Sequence, residues 1–308
     1  MQPIRISLGG YQGPSSINTR AAARFGEILT QRLGDRVSFE LKGDIHEFGR
    51  KSGELPAMVA SGELSACYIS TLRFTSWVPQ LKIFELPFVV RDRPTVTRAL
   101  DGELGTLFRE RLHERSPFRV LGFWDNGIRH VTNKVRPLRA PADCTGIRIR
   151  TQVSPLIGEA LAAIGFQPMG TEIKEFVDQI ATDRFDAQEN PLTNIFHFGV
   201  QRYHRYITLT GHIFGASAFV CNEEHYRTWP APVQEAVDVA GREATQLQRS
   251  LAASEDEDIL ARIDPRDNEL IRLTPDEHAA FRKAAEPVLA KHRSEFEPRL
   301  FDYLTAAP

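Results

Sequence analysis

The chain has little cysteine, almost no net charge and no long apolar run. Cys67, Cys144 and Cys221 are the only thiols among 308 residues. Their wide spacing offers no CxxC and no metal-ligand pattern, which argues against a disulfide framework and a metal centre. Each sits in or beside an apolar run, as a buried small thiol does. With 38 basic and 40 acidic residues the net charge is -2, without the basic excess of a nucleic-acid binder. A small anion can still be met by one or two local arginines, which net charge does not reveal. No apolar run approaches the ~20 residues of a membrane span. The start, MQPIRISLGG, enters an alternating strand with no signal-peptide core. Either the protein is cytosolic, or a leader has been removed and Met1 is an added start. GxSxG, HExxH, P-loop and GxGxxG signatures are also missing.

What is present is ordinary globular composition, 42% hydrophobic and 25% charged, enough for one large or two medium domains. Ile4, Ile6 and Leu8 alternate with polar residues, which predicts a strand. Phe25, Ile28, Leu29 and Leu33 mark a helix face, and Val37, Phe39 and Leu41 a second strand. A short helix at 55–59 and a strand at 65–70 complete a β-α-β-α-β run. A helix opening near Asp92 and Pro94 reaches Leu112. Strands follow at 119–124, 127–133 and 145–153. Ser154 and Pro155 start a helix that Gly165 stops. A further helix carries Phe176, Val177 and Ile180, and strands read at 207–214 and 216–222. One long helical pattern runs from Pro232 to Ile263, which at about 1.5 Å per residue spans roughly 45 Å. A strand at 268–273 leads to a capping box at Thr274–Glu277 and a last helix.

Two patterns carry candidate chemistry. In IRIRT (147–151) the isoleucines share one strand face, and Arg148 and Arg150 the other. Arg129 lies on the strand before. The bland reading is a solvated strand face. The functional one is a guanidinium clamp on a carboxylate or phosphate, for which arginine's planar fork is suited. The second pattern is DRFDAQENPLTNIF (183–196). Asp186, Glu189 and Asn190 admit general acid–base work, hard-metal binding, or merely a turn capped by Asn190 with Pro191 opening a helix over 191–199. No nucleophile or oriented partner accompanies the acids. His197 and His204 are seven apart, which does not bring two metal ligands together.

Across most of its length the chain resembles the DctP-type solute-binding proteins of TRAP (tripartite ATP-independent periplasmic) transporters. The motifs are GIRIR (146–150), GFQP (165–168), DAQENP (186–191) and TGH (210–212), preceded by VPQLKIFELPFVVRD (78–92) and WDNGIRHVTNKVRP (124–137). The resemblance implies an α/β, two-lobed periplasmic-binding-protein-like fold with mixed sheets, an interlobe cleft and a lobe-spanning helix at 232–263. Lobe I would take residues 1–124 and about 212–250, lobe II residues 125–211 and about 251–308. It implies a periplasmic, monomeric binding protein, not an enzyme. Such a protein needs no cofactor or metal, closes by a hinge on a small organic acid and delivers it to the small and large subunits of a membrane permease. The family's carboxylate-binding arginine falls on Arg150, a second arginine on Arg129 and a ligand amide on Asn190. Tyr11, Gln12, Tyr68, Ser70, Arg73, Trp124, Gln152, Glu172 and Phe214 would line the rest, and a second anionic group could use Arg129, Arg73 or Arg50. Ala187 replaces a family glycine, Gln152 a common proline and Ile173 a common aromatic, which bears on the substrate and not the fold. The alternatives are an α/β enzyme using Asp186 or Glu189 as base, and a ligand-sensing subunit.

Overall fold

The computed structural model describes residues 2–305; Met1 and residues 306–308, the extreme ends of the two expected lobes, lie outside the described residues. The strands in chain order are β1 (Ile4–Gly9), β2 (Val37–Lys42), β3 (Ala66–Ser70), β4 (Phe118–Asn133), β5 (Arg148–Thr151), β6 (Gln167–Gly170), β7 (Ala187–Pro191), β8 (Tyr206–Asn222) and β9 (Glu269–Ile271). The α-helices are α1 (Ile17–Leu33), α2 (Leu55–Ala60), α3 (Arg93–Asp101), α4 (Glu103–Arg115), α5 (Pro155–Ile164), α6 (Ile173–Gln179), α7 (Leu192–His197), α8 (Glu223–Thr228), α9 (Ala231–Arg262), α10 (Pro275–His292) and α11 (Pro298–Thr305). The class is mixed α/β, as the alternation of elements predicts.

These elements form two compact units. The first takes the chain up to Leu81, Leu100–Asp125 and Ala216–Ser254, and the second takes Lys82–Ala99, Asn126–Gly215 and the chain from Glu255 onward. β4, β8 and α9 each run through a boundary, so the chain crosses there on regular structure. Residues 82–99, expected in the first lobe, belong to the second unit, and their bonds explain it. Ser154 donates to the Glu85 carboxylate, Phe88 N–H donates to the His212 carbonyl at 2.8 Å, and Arg93 Nη2 to Asp256 Oδ2 at 2.7 Å.

In the first unit β1 pairs in parallel with β2 and β3, and β3 pairs antiparallel with β8. Ser16 caps α1, its Oγ accepting from Thr19 N–H at 3.0 Å. The helix buries Ala21, Phe25, Ile28 and Leu29 at the spacing of one face. Phe25 meets Phe39 and Phe219 edge-on, with centroids 5.9 and 5.1 Å away. Full burial of such a ring contributes about 1.5–3 kcal/mol.

In the second unit β7 lies between β4, antiparallel, and β5, parallel, and β6 continues beyond β5. α5 buries Ile157, Ala160, Leu161 and Ile164 and stops where Gly165 turns left-handed at φ 117°. Ile157, Leu161 and Ile164 share a core with Val131, Ile149 and Ala187. Phe176, Phe185, Ile195 and Ile207 form a second core.

The sequence reading breaks two strands and joins two helices. β4 and β8 are each one strand where a break was predicted. In β4 the predicted break falls at residues 125–126, just before Gly127, whose φ of 92° is left-handed; a side chain there would put its Cβ 2.6 Å from Cβ of Pro191. The helix predicted from 94 to 112 is two, because Gly102, at φ -98° and ψ -140°, leaves helical geometry.

Candidate functional site

The acid-rich stretch is a strand, not a turn. Residues 187–191 all pair with β4, Ala187 and Gln188 pair with β5 as well, all five are buried, and Pro191 occupies the cap position before α7 instead of its first turn. Asn190 therefore caps nothing. Its Oδ1 accepts from Arg129 Nη2 at 3.2 Å and its Nδ2 donates to Gln188 Oε1 at 2.6 Å. Gln188 Nε2 donates to Thr132 Oγ1 at 2.8 Å, and that hydroxyl meets His204 Nδ1 at 2.8 Å. A buried polar chain thus runs along β7 and β4.

Both acids are locked in ion pairs. Asp186 accepts from Arg148 Nε and Nη2, each at 2.8 Å, and from the Arg148 backbone N–H at 3.1 Å. The Arg148 hydrogen bonds hold its carboxyl below the usual range. Glu189 accepts from Arg129 Nε and, at 2.8 Å, from Nη2; Nη2 also reaches the Glu189 carbonyl at 2.7 Å. Thr151 Oγ1 donates to Glu189 Oε1 at 2.8 Å, and His212 Nε2 lies 3.5 Å from Oε2. Burial alone would raise the Glu189 carboxyl, but the Arg129 charge and the His212 and Arg129 bonds overcome it and hold it well below its ordinary range. Neither acid is a base near neutral pH. Held in these pairs, neither is the free base that the enzyme alternative requires.

Arg129 and Arg150 are not on a solvated face either: they are 1% and 3% exposed. Paired residues share a sheet face. The registers Val131↔Glu189 and Arg150↔Gln188↔Thr132 therefore put Arg129 and Glu189 on one face and Arg150, with Gln188, on the other. Arg150 Nε and Nη2 both donate to the Thr171 carbonyl, at 2.9 and 2.5 Å, and the guanidinium lies 5.5 Å from the Phe176 ring centre. That carbonyl is fixed in turn, since Thr171 N–H bonds the Thr151 carbonyl at 3.0 Å. The fork of Arg150 is thus oriented at the end of β5. Gln152, just past β5, and Glu172, the cap of α6, are half-buried; Phe214 is buried in β8.

Two histidines of this unit are neutral. Burial lowers His130 to about 3 and His204 to about 4. Glu85 departs upward. It is 5% exposed, and burial pushes its carboxyl up to about 7 against the Ser154 hydrogen bond and the Lys82 charge. The native state therefore keeps a proton that the unfolded chain releases between its ordinary 4.5 and about 7, and stability falls as pH rises through that window. Glu85→Gln keeps an acceptor for Ser154. It should exceed the parent by on the order of 2–3 kcal/mol above pH 7, a gain that vanishes towards pH 4. Denaturant melts at both pH values measure this; a gain independent of pH would refute it.

In the first unit Tyr11, Gln12, Tyr68 and Trp124 come together. Tyr68 stacks on Trp124 with centroids 5.0 Å apart, and Tyr11 lies 5.8 Å from Tyr68. Gly10 permits this, since a Cβ there would sit 2.3 Å from the Tyr68 hydroxyl. The Tyr68 hydroxyl is 2.9 Å from Thr19 Oγ1, which donates to the Gln12 carbonyl at 2.7 Å, and burial raises the phenol so that it stays protonated. Asn18 Nδ2 donates to Gln12 Oε1 at 2.9 Å, and Gln248 Nε2 to Asn18 Oδ1 at 2.9 Å. Gln248 also bonds both backbone groups of Asp125, at 2.8 and 2.6 Å. Ser70 and Arg73 are half-buried at the end of β3 and in the turn after it. The sequence reading missed Asn18 and Gln248. The available signal was periodicity: Gly241, Thr245 and Gln248 continue the buried stripe of α9.

The chain thus passes between its two units on continuous strands and holds buried arginines and amides at strand ends. The chain belongs to the bacterial extracellular solute-binding proteins of family 7, DctP, whose family model matches residues 8–295. It is 27% identical to the 2,3-diketo-L-gulonate-binding periplasmic protein YiaO of Escherichia coli, covering 78% of this chain and 72% of that one. It is 26% identical to the C4-dicarboxylate-binding periplasmic protein DctP of Rhodobacter capsulatus, covering 93% and 86%. A 30% identical relative from Sinorhizobium fredii, protein y4mM, aligns with 94% of this chain, which spans only 52% of its length. Among solved structures, a TRAP periplasmic solute-binding protein from Sulfurospirillum deleyianum with bound succinate matches all of both chains at 25% identity and a TM-score of 0.93.

Proposed function

We propose that the protein captures a small organic acid in the periplasm and delivers it, as a monomer, to the small and large subunits of a TRAP membrane permease. The observation that carries this reading is Arg150. It is buried, its guanidinium plane is set by the Thr171 carbonyl and the Phe176 ring, and it stands where the family motif has its carboxylate-binding arginine. A planar fork held in this way meets a carboxylate with parallel charge-assisted bonds and little ordering cost. Asn190 supports the same reading: its amide nitrogen carries a second N–H beyond the one given to Gln188. Relatives named for 2,3-diketo-L-gulonate and C4-dicarboxylates, and a similar structure holding succinate, are consistent with an organic acid.

A thermal-shift screen across mono-, di-, keto-, hydroxy- and aromatic acids tests the proposal. A cognate acid at about 100 times its Kd stabilises the folded protein by about 2.7 kcal/mol, a readily measured shift. If no organic acid raises the melting temperature, while a neutral solute does, the carboxylate assignment is wrong.

A further inference from the structure

Within the second unit, a line of buried neutral side chains starts at a cation. Asn190 Oδ1 faces Arg129 Nη2, and Asn190 Nδ2 faces Gln188 Oε1. Gln188 Nε2 faces Thr132 Oγ1, which in turn faces His204 Nδ1. Asn190, Gln188, Thr132 and His204 are all buried. An amide can enter such a line either way round, so something has to choose its direction. Arg129, itself held by the Glu189 carboxylate, makes that choice. A guanidinium only donates, so the Asn190 atom beside it must be the oxygen, and the amide nitrogen lies on the far side. That nitrogen only donates, so Gln188 must turn its oxygen towards Asn190 and its nitrogen towards Thr132. The Thr132 oxygen then accepts, and its one proton is left for His204.

His204 ends the line. Burial lowers it to about 4 and keeps it neutral, so its two ring nitrogens share one proton. With Nδ1 bare, the Thr132 hydroxyl donates to it, and only Nε2–H stays without a partner. With Nδ1 protonated, two groups go unmet. One is the bare Nε2; the other is the Thr132 proton, since that hydroxyl makes no further bond among the described residues. Each unmet buried group is costly, so the first arrangement wins. We infer that Arg129 and His204 are positioning residues: through Gln188 and Thr132 they fix the Asn190 amide, so that its second N–H, and not its carbonyl, meets an incoming acid. The ligand atom at Asn190 is therefore an acceptor oxygen. The inference rests on the reading that Asn190 meets the acid.

Nitrogen NMR of histidine-labelled protein near neutral pH tests the direction of the line, with His204 assigned by its absence in His204→Gln. The expected ring has Nε2 protonated and Nδ1 bare but hydrogen-bonded, and that bond is lost in Thr132→Val. A protonated Nδ1 in the parent overturns the inference, and the parent spectrum decides this even where a variant fails to fold. Isothermal titration then compares the parent, Thr132→Val and Thr132→Ser against succinate, malate, 2-oxobutanoate and a six-carbon aldonate. For the tightest of these acids Thr132→Val should bind about tenfold more weakly, and Thr132→Ser, which keeps the hydroxyl, within about threefold of the parent. Valine binding like the parent, or serine losing as much as valine, overturns the inference and leaves the organic-acid reading in place. If the parent binds none of these acids, the organic-acid reading fails and the inference falls with it.

Discussion

Arg150→Ala is expected to abolish measurable acid binding while leaving the protein folded. Each charge-assisted bond to a carboxylate is worth about 1.5–3 kcal/mol. Leaving a desolvated ligand charge without its partner costs about 2–5 kcal/mol. That is roughly 30-fold to several thousand-fold in Kd. The fold should tolerate the change because both bonds of the Arg150 fork to Thr171 go to a neutral carbonyl, whose loss of a donor costs less than stranding a charge. Arg150→Lys should recover only part of the affinity, since an ammonium restores the charge without the fork. Titration calorimetry gives Kd and circular dichroism the melting curve without ligand. A variant that binds within threefold of the parent would remove Arg150 from the site. A variant that is unfolded would show that its role is structural.

How far could this be read from the sequence? The strands holding Arg129 and Arg150 were legible, because isoleucines alternate with arginines in GIRIR and an apolar frame surrounds WDNGIRH. Their burial was not. Alternation says which residues share a face but not what covers it, and a charged residue opposite an apolar one reads as solvated. The deciding groups are remote in sequence: Glu189 lies 60 residues from Arg129, and Asp186 lies 38 from Arg148. Local pattern cannot bring such pairs together; only the β4–β7–β5 register does. The same limit explains DAQENP. Acid, amide and proline together signal a turn by local preference. Pairing with β4, and at Ala187 and Gln188 with β5 as well, overrides it, since Ala187 accepts an ordinary strand conformation where the family has glycine. Gln248 was obscured for another reason. A glutamine beside leucines in a long helix looks like the outward position, yet it is buried and holds Asn18 and Asp125.

The Arg129–Glu189 pair should have the largest effect on stability of any residues described here, and its two members should not behave as independent sites. Glu189→Leu removes the carboxylate bonded to a guanidinium that is 1% exposed. Stranding a buried charge in this way costs about 3–5 kcal/mol. At about 2–4 °C per kcal/mol for a domain of 150–250 residues, the melting temperature should fall by roughly 6–20 °C. Arg129→Met with Glu189→Leu removes both charges and leaves apolar side chains of similar reach, so the double variant should be more stable than Glu189→Leu alone. Acid dependence gives a second, independent readout. Glu189 is held below its ordinary 4.5, so the native state binds fewer protons than the unfolded chain as pH falls below that value. Its contribution is therefore complete above about 4.5 and lost as pH falls towards the depressed native value, the opposite sense to Glu85. Calorimetric melts of the parent and both variants at pH 7 and pH 3 separate these terms. Between pH 7 and pH 3 the parent should lose stability relative to the double variant if the pair is ionised in the native state. If Glu189→Leu melts within about 2 °C of the parent, the buried charge is being met by some other group and the pair does not hold the second unit together.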